Sequence, residues 1–240
     1  MDVNSNIRLY HFHIIDRFNF QLKMNDKLEA DGIQLQFGNR TILSDIYISC
    51  EKGTIVGLLG RNGSGKSCLL QVIFGTLLCE KSIRINRVSC NEAYKNPSLI
   101  SYLPQFHFIP NSLSLKDIFD VYALDYSIFA LQFPSFNIHI NEAFRNVSGG
   151  EKRLIEIYII VESTTQFALL DEPFTFLNPI QIESVKSYIK SKTTTKGFII
   201  TDHLYHHILD ISNTNYILAN GKTHLIKNYC EIETLGYART

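Results

Sequence analysis

The sequence has no charge excess. Lys plus Arg and Asp plus Glu number 23 each over 240 residues, and no basic tail or acidic block breaks the balance. The electrostatic footprint of a nucleic-acid binder is therefore missing, and no nucleic acid is expected as a partner. There is no C-x-x-C pair. The cysteines, Cys50, Cys68, Cys79, Cys90 and Cys230, are odd in number and scattered, which suits a reducing cytosol and argues against a disulfide framework. No apolar run reaches the roughly 18 residues that a membrane helix needs. The most apolar helical stretch, Leu154 to Val161, is short and carries Glu156. The first twenty residues are polar and aromatic, without the apolar centre of a signal peptide. The expectation is a cytoplasmic chain whose membrane role, if any, comes through a partner. Internal repeats and low-complexity tracts are absent too. The length allows one compact domain or two small lobes with ample core.

What is present is organised around Gly60-Arg61-Asn62-Gly63-Ser64-Gly65-Lys66-Ser67, which reads G-x-x-x-x-G-K-[ST], the phosphate-binding P-loop. Its context fits. Ile55 to Leu59 is a short apolar run of strand type, and Cys68 to Leu78 has apolar residues at helical spacing. The glycines let backbone approach phosphate oxygens without a Cβ in the way. The helix that starts there points free N–H groups and its positive dipole end at an anion. Lys66 is expected to reach the outer phosphates and Ser67 to place its hydroxyl on Mg²⁺.

Before the P-loop, Ile33, Leu35 and Phe37 alternate, Gly38-Asn39 can turn, and Ile46, Ile48 and Cys50 alternate again, predicting antiparallel strands. Beyond it, Ser82 to Ser89 and Leu99 to Leu103 read as strands. Phe106 to Asn146 is rich in aromatics and short helical stretches and is broken by Pro110 and Pro134, which predicts a small helical lobe. Its nine rings are too many for so small a lobe to bury, so several, Phe106 and Phe108 first, are expected to stay exposed. A helix is predicted from Gly150 to Val161, and a buried strand from Phe167 to Leu170. A second helix runs from Asn178 to Lys190, with Asn178 as N-cap, Pro179 at its first position and Gln181 at the third. Gly197 to Thr201 is a strand. Tyr216 to Ile226 is a hairpin turning at Asn220-Gly221. Strand–helix alternation around a P-loop gives an α/β architecture.

Phe167-Ala168-Leu169-Leu170-Asp171-Glu172 is a buried run followed by two carboxylates, the Walker B pattern, with its acids at the carboxyl end of a strand, where open α/β sheets bind ligands. Asp171 is expected to hold Mg²⁺ and Glu172 to orient and polarise an attacking water. Val147-Ser148-Gly149-Gly150-Glu151 opens a helix some twenty residues earlier. It resembles the signature motif of ATP-binding cassette (ABC) ATPases. The resemblance runs from about Leu28 to Tyr237. It implies a P-loop α/β core of ABC type with an antiparallel β subdomain and a small helical subdomain, about residues 106–160, within a domain over 27–240. Residues 1–26 form an extension of unknown role, with Met24 an alternative start.

The resemblance further implies that Ser148, Gly149, Gly150 and Glu151 serve the nucleotide of a second subunit. The chain is therefore expected to form a homodimer, or to pair with another ABC ATPase, around two ATP with Mg²⁺. Gln105 matches the Q-loop glutamine, which senses Mg²⁺ and the attacking water. His203, in Thr201-Asp202-His203, matches the switch histidine. Phe37 matches the aromatic that stacks on adenine, with an inward strand position as its alternative. Transmembrane permease subunits are the implied partners, placing the chain peripherally on the cytoplasmic face of a membrane. Asp171-Glu172-Pro173-Phe174, and Thr201-Asp202-His203 with Leu209-Asp210-Ile211, most resemble ATPases of lipopolysaccharide export and branched-chain amino-acid import.

The sequence departs from the family where Cys68 replaces the usual Thr after the P-loop Ser, and where Asn178 replaces the usual Asp. The span between Gln105 and Ser148 is short. A soluble ABC ATPase or an ATP-gated interaction module is the alternative function. A zinc site at His203 and His207 is disfavoured because no Glu stands as in H-E-x-x-H.

Overall fold

The computed structural model describes residues 26–226. The expectations for residues 1–23, Met24, Cys230 and the stretch up to Tyr237 lie outside the described residues. The chain opens with β1 (Lys27–Phe37), β2 (Arg40–Leu43) and β3 (Tyr47–Glu51), then β4 (Ile55–Leu59), which leads into the P-loop and α1 (Lys66–Phe74). There follow β5 (Glu80–Ile85), β6 (Val88–Ser89), β7 (Ile100–Leu103), α2 (Leu115–Val121), α3 (Tyr126–Gln132), α4 (Gly149–Glu162) and β8 (Phe167–Asp171). The described chain ends through α5 (Pro179–Lys192), β9 (Gly197–Thr201), α6 (Tyr205–Leu209), β10 (Thr214–Ala219) and β11 (Lys222–Ile226).

Two sheets result. One is antiparallel, with β1 pairing β2, β3 and β5, and β5 pairing β6. The other has six strands in the order β11-β10-β4-β9-β8-β7, parallel except for the edge strand β11. Strands β4, β8 and β9 are buried along their whole length, because a parallel sheet is covered on both faces. Their alternate residues feed two cores. Ile55, Leu59, Ala168, Leu170, Phe198 and Ile200 face the core shared with α2–α5. Val56, Leu58, Phe167, Leu169 and Ile199 face the core shared with α1 and the antiparallel sheet.

Two expectations are corrected here. Ser82 to Ser89 is not one strand: it folds back between β5 and β6, with Ile85 opposite Val88. Asn86 and Arg87 both take left-handed backbone, φ 53° and 68°, the conformation of a type I′ turn, here without a glycine to announce it. Phe108 is not left exposed but packs against the core. The segment from Phe106 to Asn146 buries Phe119, Phe129, Phe133, Phe136 and Phe144 because helices after it help to enclose them. Tyr158 of α4 lies 5.1 Å from the Phe129 ring, and Tyr188 of α5 lies 5.4 Å from Phe133. Phe106, 78% exposed, stays at the surface beside Gln105.

Candidate nucleotide site

The parallel strands β4, β7, β8 and β9 deliver the P-loop, Gln105, Asp171-Glu172 and Asp202-His203 to the same edge of the sheet, beyond its carboxyl ends. The loop after β4 lies tight. A Cβ on Gly60 would sit 2.7 Å from the Leu218 carbonyl oxygen. Gly65, at φ 105°, caps α1 where a side chain would meet Ile42. Lys66 follows, nearly buried, and its ammonium donates to the Gly60 carbonyl at 2.7 Å and the Arg61 carbonyl at 3.2 Å. Burial pushes its pKa down, opposed by the charges of Glu172, Asp171 and Asp202.

Ser67 Oγ donates to Asp171 Oδ1 at 3.1 Å, and Tyr102 donates to Asp171 Oδ2 at 3.1 Å. Burial raises the Asp171 pKa, and those two hydrogen bonds lower it. Gln105 Nε2 donates to Glu172 Oε2 at 2.9 Å, and His203 Nδ1 lies 3.6 Å from the same oxygen. Asp202 is buried and receives the N–H groups of Phe174 and Leu204, tying the segment after Glu172 to the segment after β9. Burial raises its pKa as well.

Lys66, Ser67, Cys68, Asn62, Gly63, Gly65, Gln105, Glu172, His203 and Phe37 line one cleft of about 660 Å³. Asp171 joins it through Ser67. Phe37 is 52% exposed, so its side chain is at the cleft rather than in the core, which removes the alternative of an inward strand residue. Gly60, Arg61 and Ser64 line an adjoining cavity of about 490 Å³ against the β10–β11 turn. The signature residues do not line either cavity. Ser148 and Glu151 form a capping box at the start of α4, Ser148 and Gly149 are exposed, and Gly150 packs so closely on Phe176 that a Cβ would lie 2.7 Å from its carbonyl oxygen.

Sequence reasoning missed Arg40 in the cleft wall, Tyr102 on Asp171, and the buried pair Arg153–Glu156 on α4. The last had a signal: a carboxylate inside an apolar helical run is buried against a partner or not there at all.

An anion with a divalent cation fits what is present. Ser64 Oγ is buried with no hydrogen-bond partner among the described residues. The P-loop glycines leave its backbone open, α1 presents its N-terminus, and a hydroxyl and a carboxylate converge where a hard cation takes oxygen ligands.

A P-loop cassette with these neighbours defines a nucleotide-hydrolysing class, and the chain belongs to the ABC transporter family, whose sequence model matches residues 43–175. It is an ATP-binding subunit of ABC type. It is 29% identical to a probable ABC transporter ATP-binding protein of Azorhizobium caulinodans, over 81% of this chain and 74% of the relative. It is also 29% identical to the lipopolysaccharide export system ATP-binding protein LptB of Escherichia coli K12, over 87% of this chain and 92% of LptB. The fold is that of a solved ATP-binding subunit of an ABC transporter, at TM-score 0.73 and 19% identity, over 89% of this chain and 95% of the other. Among the described residues no helix is long and apolar enough to cross a membrane.

Proposed function

We propose that the chain, as an ABC ATPase domain over 27–240 with a helical subdomain about 106–160, hydrolyses ATP to drive transport through separate membrane subunits, on whose cytoplasmic face it sits. The observation that carries this is the split site. Lys66, the Ser67–Asp171 pair and the Gln105–Glu172–His203 group share one cleft, whereas Ser148–Glu151 stands outside it with Ser148 and Gly149 exposed. A second copy, or a second ABC ATPase, packed head-to-tail supplies the missing half. Exposed Phe106 beside Gln105 is the side offered to a membrane partner.

Ser67 and Asp171 would hold Mg²⁺, with Gln105 beside it, and a cation held there would supply charge neutralisation at the phosphates. Lys66 and the N–H groups from Gly60 to Cys68 bind and orient the phosphate chain. Phe37 lies against the base. Glu172 orients the attacking water, Gln105 fixes the Glu172 carboxylate, His203 contacts the outermost phosphate, and in this class positioning and charge stabilisation account for nearly all of the catalysis. The exposed N-terminus of α4, with Ser148, Gly149, Gly150 and Glu151, completes the partner's site.

Glu172→Gln keeps the shape of the side chain and removes its charge. It is expected to bind ATP, lose nearly all turnover and accumulate as an ATP-bound dimer in light scattering. Lys66→Ala is expected to lose ATP binding itself. A monomeric Glu172→Gln protein with unchanged turnover refutes the assignment.

A further inference from the structure

Arg153 and Glu156 stand three residues apart on α4, and neither side chain exposes any surface. An ion pair this deep costs several kcal/mol per ion unless its hydrogen-bonding groups are matched. The two terminal nitrogens of the guanidinium donate to backbone, while Nε is buried with no hydrogen-bond partner among the described residues. One terminal nitrogen donates to the Pro104 carbonyl at 2.8 Å. The other donates to the carbonyls of Asp171 at 2.7 Å and Glu172 at 3.0 Å. Glu156 lies 3.5 Å from the first nitrogen. Its carboxylate also accepts the Phe108 N–H at 2.9 Å and meets His107 Nδ1 at 2.9 Å. The pair therefore grips the chain on both sides of Gln105 and holds both carbonyls of Asp171-Glu172.

The effect falls on the reacting side chains. Glu172 has φ 51°, left-handed backbone that a non-glycine residue seldom adopts. Such a conformation persists only where its surroundings over-determine it. Here the Glu172 N–H is tied to the Thr201 carbonyl at 2.7 Å, and its C=O to Arg153. With both ends fixed, the carboxylate meets Gln105 Nε2 at 2.9 Å. A buried ion pair is a weak source of stability, since apolar side chains of similar volume often replace one without loss. This one sends its donors to the two loops that carry Gln105 and Glu172.

We propose that Arg153 is a positioning residue for ATP hydrolysis, with Glu156 as its counter-charge, holding the Gln105 loop and the Glu172 loop in the one register that aims the Glu172 carboxylate. This rests on the hydrolytic function proposed above. A planar fork of donors suits three carbonyls arriving from two directions, and an ammonium matches only part of that geometry.

The test uses the full chain. ATPase kcat and KM, and the Kd of a fluorescent ATP analogue, are measured for wild type, Arg153→Lys, Arg153→Gln and the double variant Arg153→Met with Glu156→Leu. The double variant removes both charges and strands neither, so it is the one that folds if the single variants do not. Misaiming without loss of binding predicts a fall in kcat of about 10²-fold in the Gln and double variants, and a smaller one in Lys. KM and Kd should stay within about twofold of wild type. A folded double variant with wild-type kcat overturns the proposal. So does a loss of kcat matched by an equal loss of nucleotide affinity, or a double variant that cannot fold, since either makes the pair scaffolding. A wild-type chain that binds the analogue but does not hydrolyse ATP overturns the hydrolytic function and this proposal together, and an active wild type separates the two.

Discussion

Lys196, one residue before β9, shows how one side chain can set a pH response. It is almost wholly buried, and its ammonium donates to the Ser163 carbonyl at 2.6 Å, to Ser163 Oγ at 3.0 Å and to the Ile160 carbonyl at 3.3 Å, closing the end of α4. Burial brings its pKa down from 10.5 to about 8, with Glu162 opposing and Lys192 adding to the fall. The folded pKa is thus below the unfolded one. Between about pH 8 and 10.5 the unfolded chain holds a proton that the folded chain has released, so this residue makes stability rise with pH across that window. Its contribution is lost as pH falls through 8. Urea unfolding at several pH values should show Lys196→Met with a flatter slope than wild type between pH 8 and 10.5; an unchanged slope would mean that the ammonium keeps its ordinary pKa in the fold.

Among the elements, α5 is the one whose start the sequence announces most fully. Asn178 Oδ1 accepts the Gln181 N–H at 2.9 Å, Gln181 Oε1 accepts the Asn178 N–H at 3.0 Å, and Pro179 takes the first position. Asn178→Ala should destabilise the chain by about 1 kcal/mol in chemical denaturation, and Asn178→Asp by only a few tenths. Equal losses for both would show that the amide is not acting as a cap. The same capping box opens α4 at Ser148 and Glu151, where the sequence is legible through its signature motif instead. The β5–β6 turn was illegible for the opposite reason: Asn86 and Arg87 adopt left-handed backbone without a glycine, and a strand-like alternation runs straight through them. α2 and α3 are short, and their caps, Ser114 with Asp117 and Asp125 with Ser127, lie among aromatics that masked their boundaries.

Across the whole molecule, legibility followed chain distance. The P-loop, the Asp171-Glu172 pair and His203 are local patterns, and their convergence on one cleft follows from parallel strands that all end on one edge. What the sequence hid are contacts between distant segments. Tyr102 reaches Asp171 only because β7 and β8 are neighbours, and Arg153 reaches Pro104 and Glu172 only after α4 packs over both loops. The rings of the helical segment were misjudged for the same reason, since Tyr158 and Tyr188, which complete their enclosure, come from helices further along the chain.

The half-exposed ring of Phe37 at the mouth of the cleft has an optical consequence. The chain contains no tryptophan, so its ultraviolet emission is dominated by tyrosine, and one indole would outshine it. Phe37→Trp places that indole where the base of a nucleotide is proposed to stack, and a larger π-surface keeps the contact. Addition of ATP should then change the emission in a saturable way, giving a binding isotherm without a label. The same change in a Lys66→Ala background should be absent. Emission that ignores ATP while hydrolysis continues would put the base elsewhere in the cleft, towards Arg40 and Ile42.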